Sequence, residues 1–231
     1  MKMKKYFLIL LLQLIGYYGF AQGGFRIGLT GGLNYSEFSY TGNLAYSGSS
    51  YSSSTSYKPG FNAGIILENT FGNFSFQPAV VYDSKGGKYN ASYLFTSTAG
   101  NQYQTQTHDI TFGYVQIPLN LVYNFPVAMG KFFVGAGPYL SFNVSGSDKY
   151  TYTEPTGTTN SGNMALSTDY ELGLNAVGGI ELKNGFLVKL NYAYGNNKLY
   201  TYNDQDINST NISLSVAYIF KKADKKKAKK E

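Results

Sequence analysis

Eight ionisable side chains share one structural habit: Arg26, Glu68, Asp83, Lys85, Asp169, Glu171, Glu181 and Lys189. Each sits where oily and polar residues alternate, and each falls on the polar phase. Carboxylates and cations gathered on one sheltered surface can form a packed ion-pair network or pass protons and ions along. Unpaired buried charge is costly enough that pairing is the leading reading, with a proton or ion path as the alternative. Arg26 and Glu68 are expected side by side. Glu181 and Lys189 are expected to face inward together across the turn Lys183-Asn184-Gly185.

His108, the only histidine, stands in QTHDITF beside Asp109. A histidine with a Ser or Thr nucleophile and an acid is the equipment of a lipid-modifying hydrolase or acyltransferase. That chemistry needs the nucleophile within hydrogen-bond reach of the base. In a strand Asp109 points away from His108, so the expected state is a solvated loop histidine and no catalytic residue is assigned. The chain has no cysteine, which excludes disulfides and thiolate chemistry. It has no metal-ligand cluster, P-loop or dinucleotide fingerprint, so neither metal nor cofactor is expected. Gly135 and Gly137 read as strand glycines.

The elements that must position these groups are strands. In GFRIGLTGGLNYSEF (24–38), Phe25, Ile27, Leu29, Leu33 and Tyr35 alternate with Arg26, Thr30, Asn34 and Ser36. The same period of two recurs near 61–68, 76–83, 114–124, 132–144, 169–182, 186–195 and 211–220, which is the signal of a half-buried strand. Connections alternate strictly. Short turns fall at 69–73, 126–131 and 183–185, and long ones at 39–57, 86–108, 146–168 and 195–209. The oily faces carry no charge. Phe25, Phe71, Phe74, Tyr123, Phe125, Phe132, Phe186, Tyr218 and Phe220 mark the short-turn ends. Tyr35, Tyr82, Phe142, Tyr170, Tyr192 and Tyr194 mark the others. Two aromatic girdles around an aliphatic band describe a wall that faces lipid.

The fold expected is all-β: an eight-stranded antiparallel up-and-down transmembrane β-barrel with short periplasmic turns and long extracellular loops. A soluble sandwich is the alternative. Pro78, Pro118 and Pro138 remove ladder donors, and bulges are expected there.

The formal charge of +6 sits at the ends. Lys2, Lys4 and Lys5 open the chain, and KKADKKKAKKE, net +5, closes it, leaving residues 22–220 at −2. A nucleic-acid partner is therefore not expected. The basic start, the apolar run Tyr6–Ile15 and Gly19-Phe20-Ala21 read as an export signal, 1–21, cleaved before Gln22. The barrel spans 22–220. The tail Lys221–Glu231 reads as a disordered periplasmic segment, and its functional reading is attachment to an anionic partner. The first outer loop, SYTGNLAYSGSSYSSSTSY, is rich in Tyr, Ser and Gly. It reads as a solvated loop or a β-extension above the membrane, with glycan or protein recognition as the functional reading.

The opening GFRIGLTGGLNYS, YVQIPLNLVYNF (114–125), KFFVGAGPYLSF (131–142) and the closing ISLSVAYIF (212–220) resemble the PorT-like outer-membrane β-barrel proteins of Bacteroidota. The resemblance covers about 22–220, and the Lys-rich tail departs from it. It implies outer-membrane localisation after export, outer-membrane lipid as the surrounding medium, and a structural or interaction role rather than an enzymatic one. Candidate partners are envelope or secretion-system proteins, because the name-giving member belongs to a protein-secretion system. A lipid-modifying enzyme at the barrel mouth and a small pore are the alternatives.

Overall fold

The computed structural model describes residues 26–40, 49–97, 100–168, 170–199 and 205–220. Among the described residues nine strands run in order: β1 (Arg26–Tyr40), β2 (Ser49–Phe71), β3 (Phe74–Ser97), β4 (Gly100–Val127), β5 (Gly130–Thr153), β6 (Thr159–Ala165), β7 (Tyr170–Leu182), β8 (Phe186–Leu199) and β9 (Gln205–Ile219). Eight of them close a ring in the order β1-β2-β3-β4-β5-β7-β8-β9, every pair antiparallel. β1 completes the ring against β9, from Gly28↔Ile219 to Tyr40↔Ile207. Closure leaves no row of unpaired N–H and C=O groups in the wall, which a spanning sheet requires. The sandwich alternative falls with it.

The alternation resolves into an oily outside and a polar inside. Leu33 is 72% exposed and Leu174 69%, whereas Asn34 and Asn175 are 3% and 4% exposed. A protein packed for water would reverse that pattern. The girdle at the short-turn end is continuous where rings meet: Phe74 contacts Tyr123 (centroids 5.1 Å) and Tyr123 contacts Phe125 (4.8 Å).

The short turns are built on glycine where the backbone demands it. Gly72, in the two-residue β2–β3 turn, has φ 60°, and Gly185, before β8, has φ 94°. A Cβ at either position would be strained.

The ring has the eight strands expected, and the ninth strand among the described residues, β6, forms a hairpin with β5 outside it, Ser147↔Ala165 to Thr153↔Thr159. Two expectations need correction. Much of the expected long loops is sheet. Ser49–Tyr57 pairs with Gly87–Phe95, and the β3–β4 ladder continues to Ser97↔Gly100. Of the two readings left open for the serine-rich run, a solvated loop or a β-extension, the ladder is the second.

The second correction concerns the prolines. Register stays constant past Pro78, Pro118 and Pro138; pairing simply skips, from Pro78↔Leu119 to Val81↔Gln116 and from Pro118↔Tyr139 to Leu121↔Ala136. A missing donor opens the ladder locally without requiring an extra residue. The register shifts lie elsewhere, between Tyr57 and Asn62 around Pro59, and opposite Gly113/Tyr114. The export signal, Phe25, Asp169 and the tail 221–231 lie outside the described residues.

Candidate functional site

Two charged layers cross the lumen. At the short-turn end, the ladder sets Arg26 opposite Glu68 and Lys131 opposite Glu181. The two pairs meet across the interior. Arg26 donates to Glu68 Oε2 at 2.7 Å and to Glu181 Oε1 at 2.6 Å, and Lys131 reaches Glu181 Oε2 at 3.0 Å and also contacts Glu68 Oε1. The Ser75 hydroxyl donates to Glu68 Oε1 at 2.9 Å. Two cations and two carboxylates leave the layer neutral. Lys131 escaped the sequence reading because it was assigned to a turn. Its odd position, in phase with Gly135 and Ser141 on the polar face, was the available signal.

Nearer the long-hairpin end, Lys85 is fully buried and donates to Glu171 Oε1 at 2.6 Å, with Asp83 Oδ2 at 3.8 Å. The hydroxyls of Tyr139 and Ser209 donate to Glu171 at 2.7 and 2.9 Å. The Lys85 ammonium also lies 4.9 Å from the Tyr139 ring centroid and 5.5 Å from that of Tyr114. Asn34 donates to Asp83. Every oxygen of Glu171 is therefore used, and Lys85 serves both carboxylates of the layer.

Lys189 stands apart. Among the described residues no carboxylate lies within 4 Å of it. The ladder places it opposite Gly179 and Ser215, while Glu181 faces Leu187 and is held by Arg26 and Lys131. The Glu181–Lys189 pair thus shares the lumen without touching.

Between and beyond these layers apolar clusters and amides line the lumen. Ile66, Val122, Phe133, Leu187 and Ile219 belong to one buried apolar cluster. A belt of amides follows, in which Asn175 donates to Asn120 at 2.7 Å and to Asn191 at 3.1 Å. At the long-hairpin end Phe38, Ile110, Phe112, Tyr114 and Leu166 form a second apolar cluster. Phe38 meets Phe112 edge to face at 5.5 Å. The Leu166 amide donates to the Gly146 carbonyl at 3.0 Å, tucking the β6–β7 connection against the cluster.

Above that cluster lies His108. It is not the solvated loop histidine expected from sequence: it belongs to β4, is partly buried, and donates from Nδ1 to Asp148 Oδ2 at 2.6 Å. Strand pairing brings Asp148 from forty residues away, which no local motif could reveal. Asp109 turns elsewhere, to Lys58. Among the described residues no Ser or Thr hydroxyl hydrogen-bonds His108, so this pair has a base and an orienting acid but no nucleophile in reach.

The sequence profile described as "Outer membrane protein beta-barrel domain" matches residues 20–201. No curated protein matches the chain. Solved structures similar to it include Neisserial surface protein A, at 13% identity and TM-score 0.42, covering 86% of this chain and 100% of that one. The outer membrane protease OmpT from Escherichia coli is 13% identical, TM-score 0.45, covering 85% and 96%. Ail, the attachment invasion locus protein of Yersinia pestis, is 15% identical, TM-score 0.32, covering 84% and 98%.

Proposed function

The chain belongs to the outer membrane protein beta-barrel domain family, and from that premise we propose that it is a non-conducting membrane anchor for a recognition surface outside the cell. An outer-membrane barrel directs its short turns to the periplasm and its long hairpins outward. By that rule the upper parts of β2 to β5, together with β6, stand above the outer leaflet as one sheet. The observation that carries this reading is the continuous pairing beyond the upper girdle, from Tyr57↔Gly87 to Ser97↔Gly100 and from Gly113↔Ser145 to Thr153↔Thr159. A barrel that served only as a lipid plug would not need it. The two ion-pair layers and two apolar clusters support a lumen that passes neither ions nor solutes, since Arg26, Lys131 and Lys85 are each already held by carboxylates.

The finer role we propose is a PorT-type accessory to an envelope or secretion assembly, exported by the signal at 1–21. The Lys-rich tail is then free to meet an anionic surface on the periplasmic side. The test is covalent capture from intact outer membranes. The full chain is compared with a variant whose β3–β4 hairpin is cut back across Ala91–Gln106 to a tight turn. Partners held by the full chain and lost by the variant are expected. Identical capture by both would reject the outer sheet as the recognition surface.

A second reading, a lipid-modifying enzyme at the mouth, would rest on the His108–Asp148 pair. Without a nucleophile in reach, His108→Ala is expected to leave the lipid A and phospholipid profiles of the outer membrane unchanged. A lost lipid modification in a folded variant would reinstate the enzyme.

A further inference from the structure

The outer sheet has two chemically different faces. Strand alternation and the registers set Tyr89, His108 and Tyr150 opposite one another on β3, β4 and β5. Their rings form a row, with centroids 6.1 Å apart between Tyr89 and His108 and 6.3 Å between His108 and Tyr150. The next residues outward on the same face are Ala91, Gln106 and Tyr152, again in register. The opposite face carries Lys88, Asp109 and Lys149 in one row, then Asn90, Thr107 and Thr151. Rings are thus sorted from lysines by one residue of phase. β6 continues the arrangement with Gly162 opposite Tyr150. A Cβ at Gly162 would lie 2.5 Å from Tyr150 Cζ, so the tyrosine ring lies directly over that glycine.

Resting on the recognition role proposed above, we infer that the aromatic face binds an unbranched, uncharged hexopyranose glycan. Three features select this ligand. The electron-rich faces of tyrosine rings attract the polarised C–H face of a sugar ring, as they attract other positive edges. Gln106 and the Tyr150 hydroxyl donate and accept at once, which suits a ligand made of hydroxyls. The face offers no free cation in these rows: His108 is held by Asp148 at 2.6 Å, and at the outer edge the Glu154 carboxylate accepts from the Tyr152 hydroxyl at 3.2 Å. A sulfated or phosphorylated glycan, or an acidic peptide, would need cations here, and Lys88 and Lys149 are on the wrong side. The lumen below is filled by Phe38, Phe112 and Leu166, so the glycan is held at the mouth and not drawn through.

The test uses the full chain in nanodiscs, titrated with cellohexaose, maltohexaose and mannohexaose, and with sucrose octasulfate as the anionic probe. Saturable binding of a neutral hexaose is expected. Tyr150→Ala, and Gly162→Val with every ring atom kept, are each expected to weaken it by about tenfold. Lys88→Ala with Lys149→Ala is expected to leave it within about twofold, an energy difference well under ~1 kcal/mol. Heat-modifiable gel mobility verifies that each variant is folded. The inference is overturned if no hexaose binds the folded wild type or if Tyr150→Ala binds as well as wild type. It is equally overturned if only sucrose octasulfate binds through the two lysines, or if the face instead pairs two copies of the chain. Hexaose failure with hairpin-dependent capture intact would discard the glycan and keep the recognition surface; loss of both would discard both.

Discussion

At the scale of single residues the lumen presents a natural comparison between two lysines. Lys85 is buried with Glu171 at 2.6 Å and two tyrosine rings around it. Lys189 faces the same interior with no carboxylate within reach among the described residues. Removing one member of a buried ion pair strands its partner, which costs ~3–5 kcal/mol, whereas replacing an unpaired buried cation by a hydrocarbon of similar volume is neutral or stabilising. Lys85→Met is therefore expected to lower unfolding stability in urea-containing micelles by about that amount, and Lys189→Met to leave it unchanged or raise it. Equal losses from both substitutions would show that the lumen does not distinguish paired from unpaired charge. The alternation of residue types revealed which side chains face inward, since a period of two needs only the local sequence. It did not reveal who pairs with whom. Lys131 closes the lower layer from a position that resembles a turn, and Glu181 prefers Arg26 and Lys131 to the sequence-near Lys189, because the curvature of the wall decides which inward groups meet.

At the scale of the strand, the apolar flank is what fixes register and depth. Leu33 is the most exposed of the large outward residues of β1, and it lies opposite Phe61 and Leu214. An arginine there would place a charge among hydrocarbon on three adjacent strands. Leu33→Arg is expected to cost ~2–4 kcal/mol in folding into lipid vesicles if that position lies near the midplane. Asn34→Ser, one residue on but facing Asp83, should instead perturb the lumen and leave vesicle insertion intact. A Leu33→Arg protein that inserts as readily as wild type would contradict a lipid-facing β1. Strand existence, phase and girdles were legible here because each depends on a few consecutive residues. The upper halves of β3 to β5 were not, and that of β2 was left open between a loop and a β-extension. Ser, Gly and Thr give no apolar alternation above the membrane, where neither face meets oil, so the pattern that identifies a wall strand stops at the girdle although the ladder continues. The proline positions show a further limit: a lost donor was legible, but whether the chain answers with a bulge or a gap depends on the neighbour strand.

At the scale of the whole molecule, one ring of eight strands holds an inverted protein, with oil outside, ions and amides inside, and an aromatic shelf above one rim. The stacked interior accounts for a closed barrel, and the projecting sheet accounts for how such a barrel could still act on its surroundings. Both depend on hydrocarbon being the solvent of the outer flank. The direct measurement is residue-level labelling of the wild-type chain in bilayers with a photoactivated diazirine carried on a lipid tail, read by mass spectrometry. The account predicts insertion at Leu33, Leu174 and Leu214, which are 72%, 69% and 58% exposed, and none at their strand neighbours Asn34, Asn175 and Ser213. Labelling of both phases alike, or of the polar phase alone, would contradict it.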